Sequence, residues 1–146
     1  MMHNSSFSGK WAGQFVYGSD YGDLEGEKVT FMLLVEKNDE NGFEGKAFDI
    51  DGIGVNKEAA SVRGFIEDSM ISFVKQYPTT YVFREDLALE FLSNKLSPEI
   101  HYTGDYNESK QMFSGHWEIV WSEVKQGEDY LEYLCTGTWE MRKEKD

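Results

Sequence analysis

Apolar and polar residues alternate along most of the chain with a period of two, the pattern of β-strands that bury one face. Segments of this kind are separated by short stretches rich in Gly, Asn and Asp, which favour turns. The pattern predicts eight strands: Lys10–Gly18, Lys28–Lys37, Gly42–Asp51, Ala60–Glu67, Met70–Tyr77, Glu99–Tyr106, Gln111–Ser122 and Glu132–Lys143. Because most connections between them are short, we expect successive strands to pair antiparallel.

The segment between the fifth and sixth predicted strands departs from this pattern. Tyr81–Phe83 can continue as strand, but apolar residues then recur at intervals of three and four, which predicts a helix over Glu85–Leu96. Pro98 would end that helix. An amphipathic helix inserted here would either cover one end of the fold or brace its outside.

Eight antiparallel strands in one domain favour a closed up-and-down barrel, because closure removes the exposed sheet edges. A two-sheet sandwich is the alternative. Glycines inside six of the strands favour the barrel: Gly13, Gly45, Gly64, Gly104, Gly115 and Gly137. A glycine within a strand marks a bend or a close backbone approach, although it can also make room for a neighbouring aromatic ring. The predicted fold is therefore all-β, a single domain over residues 1–146 with an eight-stranded antiparallel barrel and a short helical insertion.

Composition narrows the possible partners. The 146 residues include 27 Asp and Glu against 14 Lys and Arg, a net charge of −13, which argues against binding nucleic acid or anionic membranes. Since 15% of the residues are aromatic, the chain has enough apolar surface to fold. The single cysteine, Cys135, cannot form an internal disulfide. The N-terminal residues lack the basic and apolar regions of a secretory signal, so we expect a cytoplasmic protein.

Several aromatic residues follow these glycines closely, as in Gly115-His116-Trp117 and Gly137-Thr138-Trp139, and the first strand carries Gly9-Lys10-Trp11. With these features the chain resembles the calycin superfamily of lipocalin-like and avidin-like barrels, which begin with a Gly-x-Trp strand. In those barrels a basic residue late in the last strand covers that tryptophan. The resemblance therefore implies structural roles for Trp11 and for Arg142, with Lys143 as the neighbouring candidate. It also implies a barrel that holds one small, largely apolar ligand.

The alternation also divides the strands into an inward and an outward face. Inward rows are predicted at Trp11, Phe15 and Tyr17, at Phe113, Trp117, Ile119 and Trp121, and at Cys135, Trp139 and Met141. The rows expected to face outward are polar: His101, Thr103 and Asp105; Ser114, His116 and Glu118; Thr136, Thr138 and Glu140. A ligand in the interior would then be lined by Phe15, Tyr17, Phe31, Leu33, Phe73, Tyr102, Trp117, Trp121 and Trp139. If these rings fill the interior completely, no ligand site remains.

Two basic residues are candidates for a polar anchor in that interior. Lys75 shares a strand face with Phe73 and Tyr77, and Arg63 shares one with Phe65. If Phe73 and Tyr77 point inward, Lys75 does too. Arg63 can then join it across the tight turn, and either cation could hold a carboxylate or phosphate group. The alternative is that both faces are reversed and both side chains lie in water, where most Lys and Arg are found.

Signals for catalysis are weak. The sequence contains no nucleophile elbow, P-loop or His-Glu-x-x-His motif. Its histidines have no metal-site spacing, and Cys135 lies among apolar residues as a small hydrophobe would. We therefore expect no catalytic residue, metal or cofactor, and predict the binding of a small apolar or amphipathic ligand inside the barrel. The alternatives are a structural or interaction module with a filled barrel and an acidic exterior, and a small-molecule enzyme at the barrel mouth.

Overall fold

The computed structural model describes residues 7–52, 58–78, 80–83, 89–92, 99–124 and 130–144. Within these ranges, residues 20–21, 80–83, 89–92, 120–124 and 130–133 are described by their backbone alone. The strands are β1 (Gly9–Tyr17), β2 (Lys28–Asp39), β3 (Gly42–Gly52), β4 (Ala60–Glu67), β5 (Met70–Gln76), β6 (Thr80–Phe83), β7 (Leu89–Leu92), β8 (Ile100–Asn107), β9 (Met112–Val124) and β10 (Tyr130–Lys143). A 3-10 turn spans Ser19–Leu24 between β1 and β2.

Eight of these strands close into a barrel in the order β1-β10-β9-β8-β5-β4-β3-β2, and every neighbouring pair is antiparallel. Sequence neighbours lie next to each other around the barrel, except where β6 and β7 intervene between β5 and β8. The predicted up-and-down barrel is confirmed, and the sandwich alternative is wrong. The architecture is consistent with a calycin-like fold.

The predicted helix over Glu85–Leu96 is wrong where the structure describes it. Leu89–Leu92 is β7, which pairs antiparallel with β6 through Tyr81 opposite Phe91 and Val82 opposite Glu90. The other residues of that predicted helix lie outside the described ranges. Apolar runs this short satisfy helical and strand spacing equally well, and here pairing with the β-branched and aromatic residues of β6 decides the outcome.

One end of the barrel is closed by aromatic rings. The β2–β3, β4–β5 and β8–β9 hairpins turn at this end, and Phe7 lies across it. The ring of Phe7 packs on Phe43 at 4.6 Å, Trp11 at 5.1 Å and Phe113 at 5.9 Å between centroids. The Trp11 indole N–H also donates to the Phe7 carbonyl at 2.8 Å. We call this the closed end; the 3-10 turn lies at the opposite end, which we call the loop end.

A tryptophan and a glycine on adjacent strands fit together in the barrel wall. A Cβ atom on Gly137 would lie 2.4 Å from the Trp117 ring and 2.1 Å from the Val16 carbonyl oxygen. The Trp117 indole N–H donates to the carbonyls of Val16 and Thr138 at 3.2 and 3.1 Å. Only glycine at position 137 allows β1 to approach β10 this closely and leaves space for the Trp117 indole.

The same arrangement recurs one strand away. A Cβ atom on Gly104 would lie 2.8 Å from the Trp139 ring, whose N–H donates to the carbonyls of Thr103 and His116 at 3.1 and 3.0 Å. At both positions the glycine therefore makes room for an aromatic ring and allows a close backbone approach.

The predicted inward and outward rows match the structure. All of the inward residues with described side chains are buried: Trp11, Phe15, Tyr17, Phe113, Trp117, Ile119, Cys135, Trp139 and Met141. The side chain of Trp121 lies outside the described ones. On the outer wall, His101, Thr103, Asp105, Ser114, His116, Glu118 and Thr138 are exposed, while Thr136 and Glu140 are half-buried.

The predicted role of Arg142 as a cover for Trp11 is wrong. Trp11 is fully buried inside the barrel, whereas Arg142 pairs with Ala12 on the outer wall. The guanidinium lies 3.5 Å from the sulfur of Met112 instead. Because side chains alternate along β10 and Met141 points inward, Arg142 must point outward. The register places Lys143, rather than Arg142, opposite Trp11.

Candidate functional site

The most unusual residue of the interior is Lys75. It lies on β5 between the buried residues Phe73 and Tyr77, pairs with Val62 and Ile100 on the neighbouring strands, and is 2% exposed. The alternation along β5 therefore carries its side chain into the barrel, which is the inward alternative of the two that the sequence leaves open. It is the one buried charged residue among the described side chains.

Four aromatic rings surround the Lys75 ammonium. The distances from Nζ to the ring centroids are 4.4 Å for Phe15, 5.0 Å for Tyr77, 5.1 Å for Tyr102 and 5.7 Å for Phe31. We call these four rings the aromatic cage. Each ring face is negative and attracts the cation, a contact worth up to about 2 kcal/mol when it is desolvated.

No described residue gives Lys75 a hydrogen bond or an ion pair. Burial lowers the pKa of the Lys75 amine from 10.5 to about 8, although the negative charge of Asp49 raises it in part. The Tyr77 hydroxyl donates a hydrogen bond to the Asp49 carboxylate, and its oxygen lies 2.7 and 2.9 Å from the two carboxylate oxygens. A buried ammonium held mainly by rings destabilises the folded chain, and a bound anion or loss of the proton would relieve that cost.

The stability of the protein should therefore depend on pH through Lys75. Below pH 8 the folded and unfolded chains both carry the proton, and the folded state bears the full cost of burying it. Between pH 8 and 10.5 the folded chain loses the proton first, so stability rises with pH, by about 3 kcal/mol in total. Urea unfolding of the wild type and of Lys75→Met at several pH values measures this. The difference between the two proteins isolates the pH dependence that requires the amine, and parallel curves would show that Lys75 contributes none.

Arg63 does not join Lys75, so the prediction of an inward Arg63 is wrong. Its side chain is 57% exposed on the outer wall and pairs with Glu99, which is 40% exposed. The inward residues of β4 include Ala60 and Val62, whereas Phe65, on the same face as Arg63, is 45% exposed. For this strand the alternative with Arg63 in water is the one that holds.

Removing the exposed ion pair should have little effect. Arg63→Ala is expected to lower the free energy of unfolding by less than about 1 kcal/mol, since both partners are hydrated and screened. Thermal unfolding at low and at high salt measures this. A loss several times larger would mean that Arg63 is needed for closure of the barrel at β4.

The other predicted lining residues extend from the aromatic cage towards both ends. Trp117 packs on Phe15 and Tyr17 at 6.1 and 6.4 Å between centroids. Phe73 stacks on Tyr102 at 4.6 Å and meets Trp139 at 5.4 Å. Leu33 lies opposite Trp11 in the half nearer the closed end. Buried rings therefore pack on both sides of the aromatic cage in the described interior.

Sequence reasoning missed Tyr77 and Asp49 as parts of this site. Tyr77 lies two residues after Lys75, which places both side chains on the same face. Asp49 follows Phe43, Gly45 and Ala47 at intervals of two along β3. Because Asp49 continues this inward row, the spacing alone indicates that Asp49 lies near the interior.

The outer wall offers no comparable arrangement in the described ranges. His101 faces Glu118 and His116 faces Thr103 across β8 and β9, yet the described residues contain no group of three possible metal ligands. Among the same residues, no helix has the length and apolar character needed to span a membrane. No protein-family model matches the chain, and neither a curated protein nor a solved structure matches it.

Proposed function

We propose that the protein binds a small amphipathic molecule with one anionic group inside the barrel, without catalysis, and that Lys75 is its counter-ion. The observation that carries this proposal is the buried ammonium, which four rings surround and for which no described residue is a hydrogen-bond acceptor. A carboxylate or phosphate would supply the missing acceptor, and a charge-assisted hydrogen bond in a buried setting is among the stronger polar contacts.

The surroundings of Lys75 fit an apolar tail. Phe15, Phe31, Tyr17 and Trp117 are buried around or beside the amine, and binding sites for small molecules combine such surfaces with a few placed polar groups. Because Phe7 and its neighbours close one end, the ligand would enter from the loop end. Membership of the calycin superfamily, which we propose on the barrel and the Gly-x-Trp strand, agrees with an interior ligand.

Asp49 sets a limit on the charge of the ligand. Its carboxylate acts on Lys75 and accepts the Tyr77 hydroxyl, so it lies close to the place of the proposed anion. A second negative charge on the ligand would meet this carboxylate in a region of low dielectric constant, where repulsion is strong. We therefore expect selection for monoanions over dianions of the same length.

Decanoate and decanol provide a matched test, because they differ in charge and share their tail. We expect the wild type to prefer decanoate by about tenfold or more in Kd, the range of a charge-assisted hydrogen bond. Lys75→Met should remove this preference, and Lys46→Met, which deletes a charge from an exposed position, should keep it. Tryptophan fluorescence and calorimetry give the affinities.

Two outcomes would contradict the proposal. Equal decanoate affinity in the wild type and Lys75→Met would mean that the amine is not the anchor. Failure of the wild type to bind any amphiphile would favour the alternative of a filled barrel that serves as a structural or interaction module.

A further inference from the structure

We propose that Lys75 also captures carbonyl compounds covalently: its side-chain amine condenses with an apolar aldehyde to form an imine inside the barrel. This inference shares with the proposed function the premise that an apolar molecule reaches the aromatic cage. It goes further because it assigns the amine a chemical reaction as well as a charge.

Three neighbouring groups carry the inference: the amine, the rings and a hydrogen-bonded acid pair. Nζ is enclosed by the aromatic cage, which favours an uncharged product over an ammonium ion. The Tyr77 ring centroid lies 5.0 Å from Nζ, and the Tyr77 hydroxyl donates to Asp49. A phenol and a carboxylate beside an amine can take up and return the protons that imine formation moves.

The reaction needs no oxidant or reductant. The lone pair of the neutral amine attacks the carbonyl carbon, and the π electrons of the C=O bond move to oxygen. As the C–O bond then breaks, the nitrogen forms the C=N bond, and both amine hydrogens end on the oxygen, which leaves as water. A site surrounded by rings slows the reverse attack of water on the imine.

Lys75 differs in this respect from lysines on the outer wall such as Lys46, which is exposed. With a pKa of about 8, about half of the Lys75 amine is neutral at pH 8, whereas an ordinary lysine is almost entirely protonated there. Reactivity follows the neutral fraction, so we expect Lys75 to react at least about tenfold faster than any exposed lysine.

The test uses the full chain, decanal as the aldehyde, and sodium borohydride, which reduces an imine to a stable amine. Intact mass spectrometry should show one added decyl group, and peptide mapping of the wild type should place it on Lys75. Lys75→Met should lose the adduct while Lys46→Met keeps it, with near-ultraviolet circular dichroism to confirm that both variants are folded. Because mapping locates the adduct in the wild type, the result does not depend on the variants.

No adduct, or label spread over the exposed lysines, would overturn the inference. Its failure differs from failure of the proposed function. Binding of decanoate without trapping of decanal at Lys75 removes covalent capture and keeps the anion site. Trapping of decanal at Lys75 without binding of decanoate keeps covalent capture and removes the anion site.

Discussion

Gly137→Val is expected to unfold the barrel or to lower its free energy of unfolding by about 3 kcal/mol or more, since overpacking and backbone displacement combine at this position. A side chain at residue 137 would meet the Val16 carbonyl oxygen at 2.1 Å and the Trp117 ring at 2.4 Å. Neither group can move away without cost, because the indole N–H donates hydrogen bonds to the carbonyls of Val16 and Thr138. Chemical denaturation with circular dichroism gives the change in stability.

Thr138→Val serves as the matched control on the same strand. Thr138 is exposed on the outer wall, and valine keeps its β-branched shape, so a change within about 0.5 kcal/mol is expected. If Gly137→Val were as stable as this control, β1 and β10 would not need the close approach that the glycine allows, and the account of barrel closure would be wrong.

Lys75→Met is expected to stabilise the ligand-free protein at pH 7, by about 1–3 kcal/mol. Replacement of a buried ion by an apolar side chain of similar length often stabilises a protein, because the desolvation cost disappears while the packing is kept. The gain should shrink as the pH rises above 8, where the wild-type amine loses its proton. Thermal and urea unfolding of both proteins without ligand measure the effect.

The same substitution should therefore raise stability and abolish the preference for anionic ligands. Opposite changes of this kind distinguish a functional lysine from a structural one. If Lys75→Met were less stable than the wild type by several kcal/mol, the ammonium would have a stabilising role in the folded chain, and the proposed anion site would lose its main support.

Most of the barrel was predictable from the period-two alternation. It identified the inward rows of β1, β9 and β10, because each of these strands buries one face and exposes polar residues on the other. It left the inward face of β4 open, where Phe65 lies outside. The role that the family resemblance implied for Arg142 lies one residue from the position that pairs with Trp11. Periodicity failed at Leu89–Leu92, because four residues are too few to distinguish the two periods.

The site was predictable only in part. Alternation places Lys75 on the same strand face as Phe73 and Tyr77, but it does not decide whether that face points inward. The aromatic cage was not predictable, because Phe15, Phe31 and Tyr102 come from three other strands and meet only through closure and strand tilt. The contact of Asp49 with Tyr77 likewise joins β3 to the residue after β5, which local periodicity cannot reveal.

A crystal structure of the decanoate complex tests the central claim most directly, because it locates the anion. We expect one decanoate inside the barrel, with a carboxylate oxygen within hydrogen-bond distance of Lys75 Nζ and the tail against buried aromatic rings. Decanoate bound only on the outer wall, or inside the barrel with its carboxylate far from Lys75, would contradict it.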